Sequence, residues 1–343
     1  MLGLNGQNEM NEAFMDVNGR SVPVVSARLS PRDVFGAWKV RWGIGRDRYT
    51  VSPGLYAVGK PTAESPVLVT ANYKLSFDKL RAELSRTDAW ILVLDTKGVN
   101  VWCAAGKGTF GTRELEMKIL QHRPGEVVSH RTLILPQLGA TGVSAPEVRK
   151  ATGWRVVFGP VRARDLPAFL ANGMKKDAAM RRVEFRFTER MAVAPMELVQ
   201  SWPFLLGIIA AALLLALPAG PGYVRQFLGI CLTLIGAVLV GTIAFPALLP
   251  FLPFRAFSVK GGLIGALWGV AASLALKTSI AGLAAMVLAA GSISAFLAMS
   301  FTGASTFTCQ AGAEMEVRRG TIPMAVSLVV GTGLLAASRF LGV

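Results

Sequence analysis

Charged residues are scarce in the last two-fifths of this 343-residue chain. Residues 1–202 carry 29 of the 36 Lys and Arg and 19 of the 21 Asp and Glu. The remainder is a series of uncharged runs, and a run of roughly 20 apolar residues is long enough to cross the hydrocarbon core of a bilayer. The chain is therefore predicted to be a soluble part followed by an all-α membrane domain.

About five transmembrane helices are predicted from these runs. They cover about 203–220, 228–250, 259–276, 280–301 and 321–340. The third helix comes from the shortest run, for which a re-entrant segment is the alternative; Lys260 and Lys277 would snorkel to lengthen a spanning helix. The central part of each predicted helix holds no ionisable side chain, which argues against an ion pathway through the membrane built from such groups. An anchor or docking surface is favoured.

The loops between these helices predict the orientation of the chain. With the soluble part in the cytoplasm, the inner loops hold Arg255 with Lys260 and Arg318 with Arg319, whereas each outer segment holds one basic residue. The N-terminal sequence has no basic stretch followed by an apolar run, so no cleaved signal peptide is expected. We therefore expect a multi-pass protein of the cytoplasmic (inner) membrane whose soluble domain faces the cytoplasm. Cysteines there stay reduced.

The soluble part has an excess of ten positive charges, but they do not indicate nucleic acid. The basic residues are dispersed, and their densest group, residues 175–190, lies beside the predicted membrane boundary. Basic residues at that place suit anionic lipid headgroups. The bilayer is therefore an expected partner, and nucleic acid is not.

The pattern of apolar residues predicts an α/β fold for the soluble domain, residues 46–195. Short apolar runs typical of buried strands alternate with helical stretches, which favours a mostly parallel sheet with helices on both faces. Residues 1–45 lack clear periodicity and are predicted to form an irregular N-terminal arm, in which Trp38 and Trp42 pack on the domain or on a partner. The membrane domain is residues 196–343. The predicted strands are 66–70, 90–95, 131–136 and 154–159, and the predicted helices are 75–84, 112–121 with Thr112 as N-cap, 144–152 and 164–173.

Sheets of this kind bind ligands at the carboxyl ends of their strands. The segments that follow the predicted strands are rich in Gly, Thr and Asn, as a pocket lined by backbone would be. The candidates for backbone contacts with a ligand are Thr70, Gly139, Gly142 and Gly159.

The segment NVWCAAGKG, residues 100–108, predicts a short helix that displays a cysteine. Asn100 is a good N-cap, and Gly106 is a good residue to end the helix. Such a helix presents Cys103 outward beside small alanines and glycines, which let the backbone approach a flat partner closely. The thiol is then either a metal ligand over the pocket or an inert buried cysteine.

A second interpretation of this region is a dinucleotide site. GKGTFG, residues 106–111, fits the pattern G-x-G-x-x-G, which requires a strand directly before it and an acidic residue at a strand end about 20 residues later. In this chain CAA intervenes after the candidate strand, and Glu126 lies in a Pro-Gly turn, so the match is weak. A phosphate-binding P-loop is excluded, since Val101 and Gly108 stand where it needs Gly and Ser or Thr.

Residues 67–81 and 89–112 together resemble the corrinoid proteins of the bacterial and archaeal mercury-methylating pair, the HgcA family. Residues 100–107 match the family signature N-(V/I)-W-C-A-(A/S)-G-K at every position. The resemblance covers residues 45 to 195 and extends to the architecture, because the family adds about five membrane helices after its corrinoid domain. The related corrinoid iron–sulfur protein of acetyl-CoA synthesis shares the domain but has neither the cysteine signature nor the membrane part.

The resemblance implies a Rossmann-like corrinoid-binding domain and a corrinoid-dependent methyltransferase that converts Hg(II) to methylmercury. Cys103 is then the catalytic residue and the lower axial ligand of a cobalamin-type cobalt. Because Hg(II) is an electrophile, it needs a carbanion-like or radical-like methyl group, and an electron-donating thiolate would stabilise the oxidised cobalt left behind. The residues implied in cofactor binding are Asn100, Val101, Trp102, Cys103, Ala104, Ala105, Gly106, Lys107, Gly108 and Thr109.

The remaining candidate ligands are expected to have ordinary structural roles. His122 and His130 are expected to be surface or turn residues, and no histidine-ligand signature D-x-H-x-x-G is present. Cys231 is expected to pack inside the second membrane helix. A loop or packing role is favoured for Cys309 over contact with mercury.

The expected partners follow from the chemistry. Three scattered cysteines cannot hold a four-thiolate iron–sulfur cluster, so a separate electron donor is needed, which the resemblance identifies as an HgcB-like two-cluster ferredoxin. The methyl donor is expected to be a methyltetrahydrofolate-linked methyltransferase. Two other functions stay open: a membrane-anchored corrinoid methyl carrier of one-carbon metabolism, and a membrane receptor with a nucleotide-binding domain.

Overall fold

The computed structural model describes residues 11–304, 307–308 and 310–340. The chain divides into two compact units: an α/β unit that runs to residue 183, and a helical unit that comprises Arg41–Gly43 and the chain from residue 184 onward. The predicted boundary at residue 195 therefore falls inside the helical unit.

The α/β unit is built on a mixed, mostly parallel sheet. Its strand order is β1-β2-β3-β5-β4-β6-β7 over the described residues. Strands β4 to β7 are parallel to one another, as predicted, whereas β3 runs antiparallel to β5. The strands are β1 Asn11–Val17, β2 Arg20–Val25, β3 Gly54–Val58, β4 Val67–Ala71, β5 Ala89–Leu94, β6 Thr132–Leu135 and β7 Arg155–Phe158.

Helices cover both faces of this sheet. They are α1 Pro31–Arg41, α2 Lys74–Ala82, α3 Val101–Lys107, α4 Thr112–His122, α5 Ala145–Thr152 and α6 Leu166–Ala171. Alternate side chains of β5 point to opposite faces. Trp90, Leu92 and Leu94 join a core that includes residues of α3, α4 and α5, while Ile91 and Val93 join the core on the side of α2 and α6.

The prediction of an irregular N-terminal arm is wrong for the described part of residues 11–45. Strands β1 and β2 form an antiparallel hairpin, and β2 continues the sheet by pairing with β3. Pro23 and the polar residues of β2 obscure the strand pattern, and pairing with β3 joins segments far apart in the sequence. The predicted strands and helices of residues 66–173 are confirmed within two residues at their ends.

The helical unit consists of short helices followed by long apolar ones. The helices are α7 Phe187–Met191, α8 Ala194–Gln200, α9 Trp202–Ala216, α10 Tyr223–Leu239, α11 Phe245–Leu248, α12 Phe257–Leu276, α13 Ile280–Ser300 and α14 Gln310–Phe340. A π-helical turn, Val240–Ala244, joins α10 to α11.

Within the described residues, four helical stretches are long and apolar enough to cross a membrane, not five. They are Trp202–Leu248, Phe257–Leu276, Ile280–Gly303 and Ala311–Ser338. The first has 47 residues and contains the first two predicted spans. It is interrupted at Leu217–Gly222, where Gly220 leaves the helical region with φ 51° and ψ −121°. On either side of this break, α9 and α10 pack in one apolar cluster.

Lys260 does not snorkel as predicted. Its side chain is buried, and Nζ donates a hydrogen bond to the carbonyl oxygen of Leu249, 3.1 Å away. The buried Arg190 likewise donates to the carbonyl oxygens of Pro246 and Phe185, at 2.7 and 2.9 Å. Both cations thus bind carbonyl groups near the end of α11, which its helical hydrogen bonds leave without partners.

Candidate functional site

The loop between β5 and α3 is held by one side chain at the end of the neighbouring strand. Asn72 is 6% exposed and directly follows β4. Its Oδ1 accepts hydrogen bonds from the amide and hydroxyl of Thr96, at 3.1 and 2.9 Å, and from the amide of Gly98 at 3.0 Å. The Thr96 hydroxyl also contacts the Val99 carbonyl oxygen at 2.6 Å. The Nδ2 of Asn72 also donates to the Asp95 carboxylate, at 3.3 Å. These hydrogen bonds fix the chain that leads into α3.

A second contact fixes the start of the same loop. The amide of Asp95 donates to Oε1 of Glu114 in α4, at 2.8 Å. Burial by itself would raise the pKa of Asp95, but hydrogen bonds from Lys97 outweigh it and hold the pKa below its ordinary value. The loop is therefore attached both to the end of β4 and to α4.

Helix α3 begins where the sequence predicts but ends later. Asn100 is the N-cap, and its Oδ1 accepts the amide of Cys103 at 3.0 Å. Gly106 lies inside the helix, and Gly108, with φ 79°, ends it in the left-handed conformation that glycine adopts without strain. The prediction that Gly106 ends the helix is therefore wrong by two residues.

The two faces of α3 differ in composition. Val101, Ala104 and Ala105 are buried against the sheet, following the helical spacing of three and four. The residues left exposed on this helix are Trp102, Cys103, Gly106 and Lys107. Trp102 is 38% exposed, so it does not pack wholly in the core.

Cys103 is a free, exposed thiol. The Nδ2 of Asn100 lies 3.5 Å from its Sγ, at hydrogen-bonding distance for sulfur. Asn100 therefore orients both the backbone and the sulfur of Cys103. Cys103 is therefore not buried, contrary to the alternative interpretation.

Gly106 leaves open space beside this thiol. It is three residues after Cys103, so the two lie on neighbouring positions of one helix face. A Cβ built on Gly106 would meet no atom within 4 Å, and its backbone is helical, so neither packing nor conformation of the chain requires glycine there. Glycine inside a helix costs about 1 kcal/mol relative to alanine. No contact within the described chain explains this cost.

Gly139 and Gly142 have a different role from the predicted one. A Cβ on Gly139 would lie 2.5 Å from the ring of Phe110, and one on Gly142 would lie 2.2 Å from the Phe110 carbonyl oxygen and 3.0 Å from Cα of Ala105. These glycines allow the loop after β6 to pack against the α3–α4 connection. Packing alone explains them, and they support α3 from below.

Thr70 and Gly159 are not brought to the thiol. Thr70 is buried in β4, where Val69 and Ala71 on either side of it belong to the core that contains α3 residues, so its side chain points to the other face of the sheet. A Cβ on Gly159 would meet Ile134 and Phe169, which belong to that other face. Thr109 lies near the end of α3, and its hydroxyl is 3.5 Å from the Ala104 carbonyl oxygen.

The histidines have structural surroundings. His130 contacts the Ser65 carbonyl oxygen through Nε2 at 3.0 Å and accepts the Thr132 amide through Nδ1, which fits the predicted turn role. His122 ends α4, but its Nε2 is buried without a hydrogen-bond partner in the described structure, so it is not a simple surface residue. Burial, with Lys118 and Arg20 nearby, lowers the pKa of His122.

The other cysteines lie away from the α/β unit or outside the description. Cys231 is buried in α10, where it packs in an apolar cluster, as predicted. Cys309 lies outside the described residues. Among the described residues, no three His, Cys, Asp or Glu side chains are grouped so as to hold a metal ion.

The glycines of GKGTFG do not form a dinucleotide fingerprint. They follow α3 rather than a strand: Gly106 is helical, Gly108 ends α3, and Gly111 is the N-cap of α4. The helix they open begins at Thr112, which was predicted to be the N-cap itself; the Thr112 hydroxyl instead accepts the amide of Ser144 at 2.8 Å.

Residues 44–170 match the family model of the CO dehydrogenase/acetyl-CoA synthase delta subunit. This range contains β3 to β7, the helix α3 that carries Cys103, and the loops at the carboxyl ends of the strands. The membrane helices lie outside the matched range.

Curated relatives match the same region. A gamma subunit of the acetyl-CoA decarbonylase/synthase complex from Methanopyrus kandleri is 35% identical over 127 residues, which are 36% of this chain and 27% of that protein. The gamma subunit from Methanocaldococcus jannaschii is 32% identical over 133 residues, 38% of this chain and 27% of that protein. These relatives belong to a corrinoid iron–sulfur protein family. The chain spans 27% of the length of each.

Three positioning residues were missed by the sequence reasoning: Asn72, Thr96 and Glu114. A weak signal existed for Asn72, since a buried amide directly after a strand of a parallel sheet is well placed to bind neighbouring loops. Its partners are 24 and 26 residues away along the chain, so only the fold reveals what it binds.

Proposed function

We propose that the α/β unit binds a corrinoid against the exposed face of α3 and that the chain transfers its methyl group to inorganic Hg(II), forming methylmercury. One observation carries the proposal: a free thiol, Cys103, shares an exposed helix face with Gly106, a glycine that the chain's own packing does not require. The family of residues 44–170 supports the cofactor class. The mercury-methylation signature at residues 100–107 supports the substrate.

A corrinoid supplies a cobalt-bound methyl group, and the chain holds and tunes that cofactor. Cys103 is proposed as the lower axial ligand, with Asn100 orienting its sulfur. A thiolate donates electron density to a metal, which favours release of methyl with its bonding electrons to an electrophile such as Hg(II). Val101, Ala104 and Ala105 anchor the helix, whereas Trp102, Gly106 and Lys107 face the cofactor. Gly108 and Thr109 shape the end of the helix.

Turnover requires partners that return electrons and methyl groups. We propose an HgcB-like two-cluster ferredoxin as the electron donor, because the three cysteines of the sequence are too few for a four-thiolate cluster. A methyltetrahydrofolate-linked methyltransferase is the proposed methyl donor.

The test is a comparison of Cys103 variants of the full chain, reconstituted with methylcobalamin in detergent. Cys103→Ala is expected to fold and to retain corrinoid, but to lose methylation of Hg(II). Cys103→His should retain a bound corrinoid with a shifted visible spectrum and low activity, because imidazole donates less electron density than thiolate. Methylmercury production by Cys103→Ala at the wild-type rate, with equal corrinoid occupancy, contradicts the proposed role.

A membrane-anchored corrinoid methyl carrier of one-carbon metabolism is the second candidate. It is favoured by the names of the relatives, which are subunits of an acetyl-CoA decarbonylase/synthase complex. Deleting the gene separates the two candidates. Loss of methylmercury formation with unchanged growth on one-carbon substrates supports Hg(II) as the substrate, and the reverse supports the carrier.

We propose that the α/β unit lies in the cytoplasm. If α9 and α10, which are separated by the break at Gly220, each cross the bilayer, the four apolar stretches make five crossings and the C-terminus lies outside. A reporter fused after Val343 is expected to be active only outside the cytoplasm. Activity inside would mean that one of the five helices does not cross.

A further inference from the structure

Helix α1 exposes three large apolar side chains, although Val40 is buried, and it turns its acidic residue, Asp33, inward. On a soluble domain the opposite arrangement is usual. Val34 and Phe35 are each 59% exposed, and Trp38 is 52% exposed. The rings of Phe35 and Trp38 stack with their centroids 5.8 Å apart. Ile44, just after the helix, is 52% exposed.

Ion pairs attach the inward face of α1 to the domain. The apolar side chains of α1 are therefore exposed although the helix is firmly attached. Asp33 pairs with Lys74 and, at 2.8 Å, with Arg81 of α2. The same two cations pair with Asp78, which is also buried, at 2.6 and 2.8 Å. The Tyr49 hydroxyl adds a hydrogen bond to the Asp33 carbonyl oxygen at 3.3 Å. The aromatic residues are thereby held outward.

Exposed basic residues lie close in sequence to the exposed apolar ones. Lys39 lies over the ring of Phe35, 5.9 Å from its centroid. The acidic Asp33 is used internally, which leaves Asp47 as the acidic side chain exposed in this part of the described chain. The exposed basic side chains of this region are Arg28, Arg32, Arg41, Arg46 and Arg48.

The chain that leaves α1 enters the helical unit next to its membrane helices. Arg41–Gly43 group with that unit. A Cβ on Gly43 would lie 3.5 Å from the sulfur of Met196 in α8, and α8 ends two residues before the first membrane-spanning helix begins at Trp202. The C-terminal end of α1 is therefore joined to the part of the chain that enters the bilayer.

We propose that α1 is an interfacial membrane anchor, with Val34, Phe35 and Trp38 inserted among the lipid headgroups of an anionic bilayer. Aromatic side chains are enriched at the depth of the headgroups, and Lys and Arg beside them bind anionic lipids. A helix with this composition lies in the plane of the interface. The anchor holds the α/β unit at the membrane surface through a second attachment, separate from the spans.

Photo-crosslinking of the full chain in lipid vesicles tests this. Phe35→p-benzoyl-L-phenylalanine places the reactive group on the aromatic face. Leu120→p-benzoyl-L-phenylalanine is the matched control, because Leu120 is an apolar side chain of α4 that is 67% exposed. In vesicles of phosphatidylethanolamine and phosphatidylglycerol, the intact mass of the first variant should increase by one phospholipid, whereas that of the control should not.

Neutralising basic residues near α1, or removing the anionic lipid, should lower the yield of lipid crosslinking at position 35. Arg28→Gln with Arg41→Gln, or vesicles of phosphatidylcholine alone, should lower the yield of the lipid adduct at position 35. Hydrogen exchange of the buried β5 amides confirms that each variant is folded. A lipid yield at position 35 as low as at position 120 overturns the proposal, as does crosslinking of position 35 in native membranes to another polypeptide in place of lipid.

Discussion

Helices α1 and α3 both expose residues that the packing of the α/β unit does not use, but the two faces are opposite in kind. The face of α3 carries a thiol beside a glycine, a small surface that a rigid, planar ligand can approach closely. The face of α1 carries stacked aromatic rings with basic neighbours, which is the surface that we propose to bind anionic lipid headgroups. Exposed residues thus indicate a partner through their size and charge, not through exposure alone.

The attachments of the two helices differ as well. The loop before α3 is held mainly by amide and hydroxyl groups that donate to the Oδ1 of Asn72, with two further hydrogen bonds to carboxylates, whereas α1 is held by ion pairs around Asp33. The strength of hydrogen bonds between uncharged groups does not depend on pH over a wide range, whereas an ion pair is lost once its carboxylate is protonated. The comparison therefore predicts different responses of α1 and α3 to mutation and to acid.

The largest effect is expected from Asn72→Leu. This variant leaves the buried amides of Thr96 and Gly98 without an acceptor, and each unsatisfied group costs about 1–3 kcal/mol. The α/β unit should lose about 2–4 kcal/mol of stability, measured by hydrogen exchange of the β5 amides. Asn172→Leu, the same change at an exposed site, should stay within about 0.5 kcal/mol of wild type. Equal effects at the two sites would show that the loop does not depend on Asn72.

Two glycines of the α3 region are expected to respond with opposite signs. Gly142→Ala forces a Cβ against Phe110 and Ala105 and should destabilise the α/β unit by about 1–3 kcal/mol. Gly106→Ala meets open space and should stabilise α3 by up to about 1 kcal/mol, because alanine is the better helix former.

Corrinoid binding provides a second measurement on the Gly106→Ala variant. If the face of α3 receives a flat cofactor, Gly106→Ala should weaken methylcobalamin binding while it raises stability, as read by equilibrium titration of the visible spectrum. A Gly106→Ala variant that binds the cofactor as tightly as wild type would show that cofactor approach does not require glycine at position 106.

The smallest effect concerns acid. Burial by itself raises the pKa of Asp33, but hydrogen bonds and the charge of Lys74 outweigh it, so the pKa in the folded chain lies well below its ordinary value. A lowered carboxyl pKa contributes stability that is complete above the unfolded value of about 3.9 and is lost as pH falls through the folded value. Amides of α1 should therefore lose protection from hydrogen exchange below about pH 4, before those of α3 do.

Asp33→Asn provides the control for this titration. It should lower the protection of α1 already at neutral pH and abolish its further loss in acid. Simultaneous loss of protection in α1 and α3 would show that the ion pairs do not hold α1 independently.

The alternation of apolar runs and helical stretches was enough to predict strands β4 to β7 and the helices between them, because these are local patterns. The hairpin of β1 and β2 and the antiparallel strand β3 were not predicted. They lie at one side of the sheet, their apolar residues are interrupted, and their pairing partners are distant in sequence. The break at Gly220, in contrast, coincides with the predicted end of the first span, because Pro and Gly residues interrupt the apolar sequence there.

The sequence by itself determined the helix that displays Cys103, because an N-cap, a short helical run and a terminating glycine are read from adjacent residues. It also determined that the chain has a membrane part, because hydrophobic length alone decides that property. Only the tertiary structure decided which glycines serve packing and which leave space for a ligand. It also decided that Asn72 holds the loop between β5 and α3 and that the aromatic face of α1 is exposed. These roles depend on atoms brought together from distant parts of the chain, which no local pattern records.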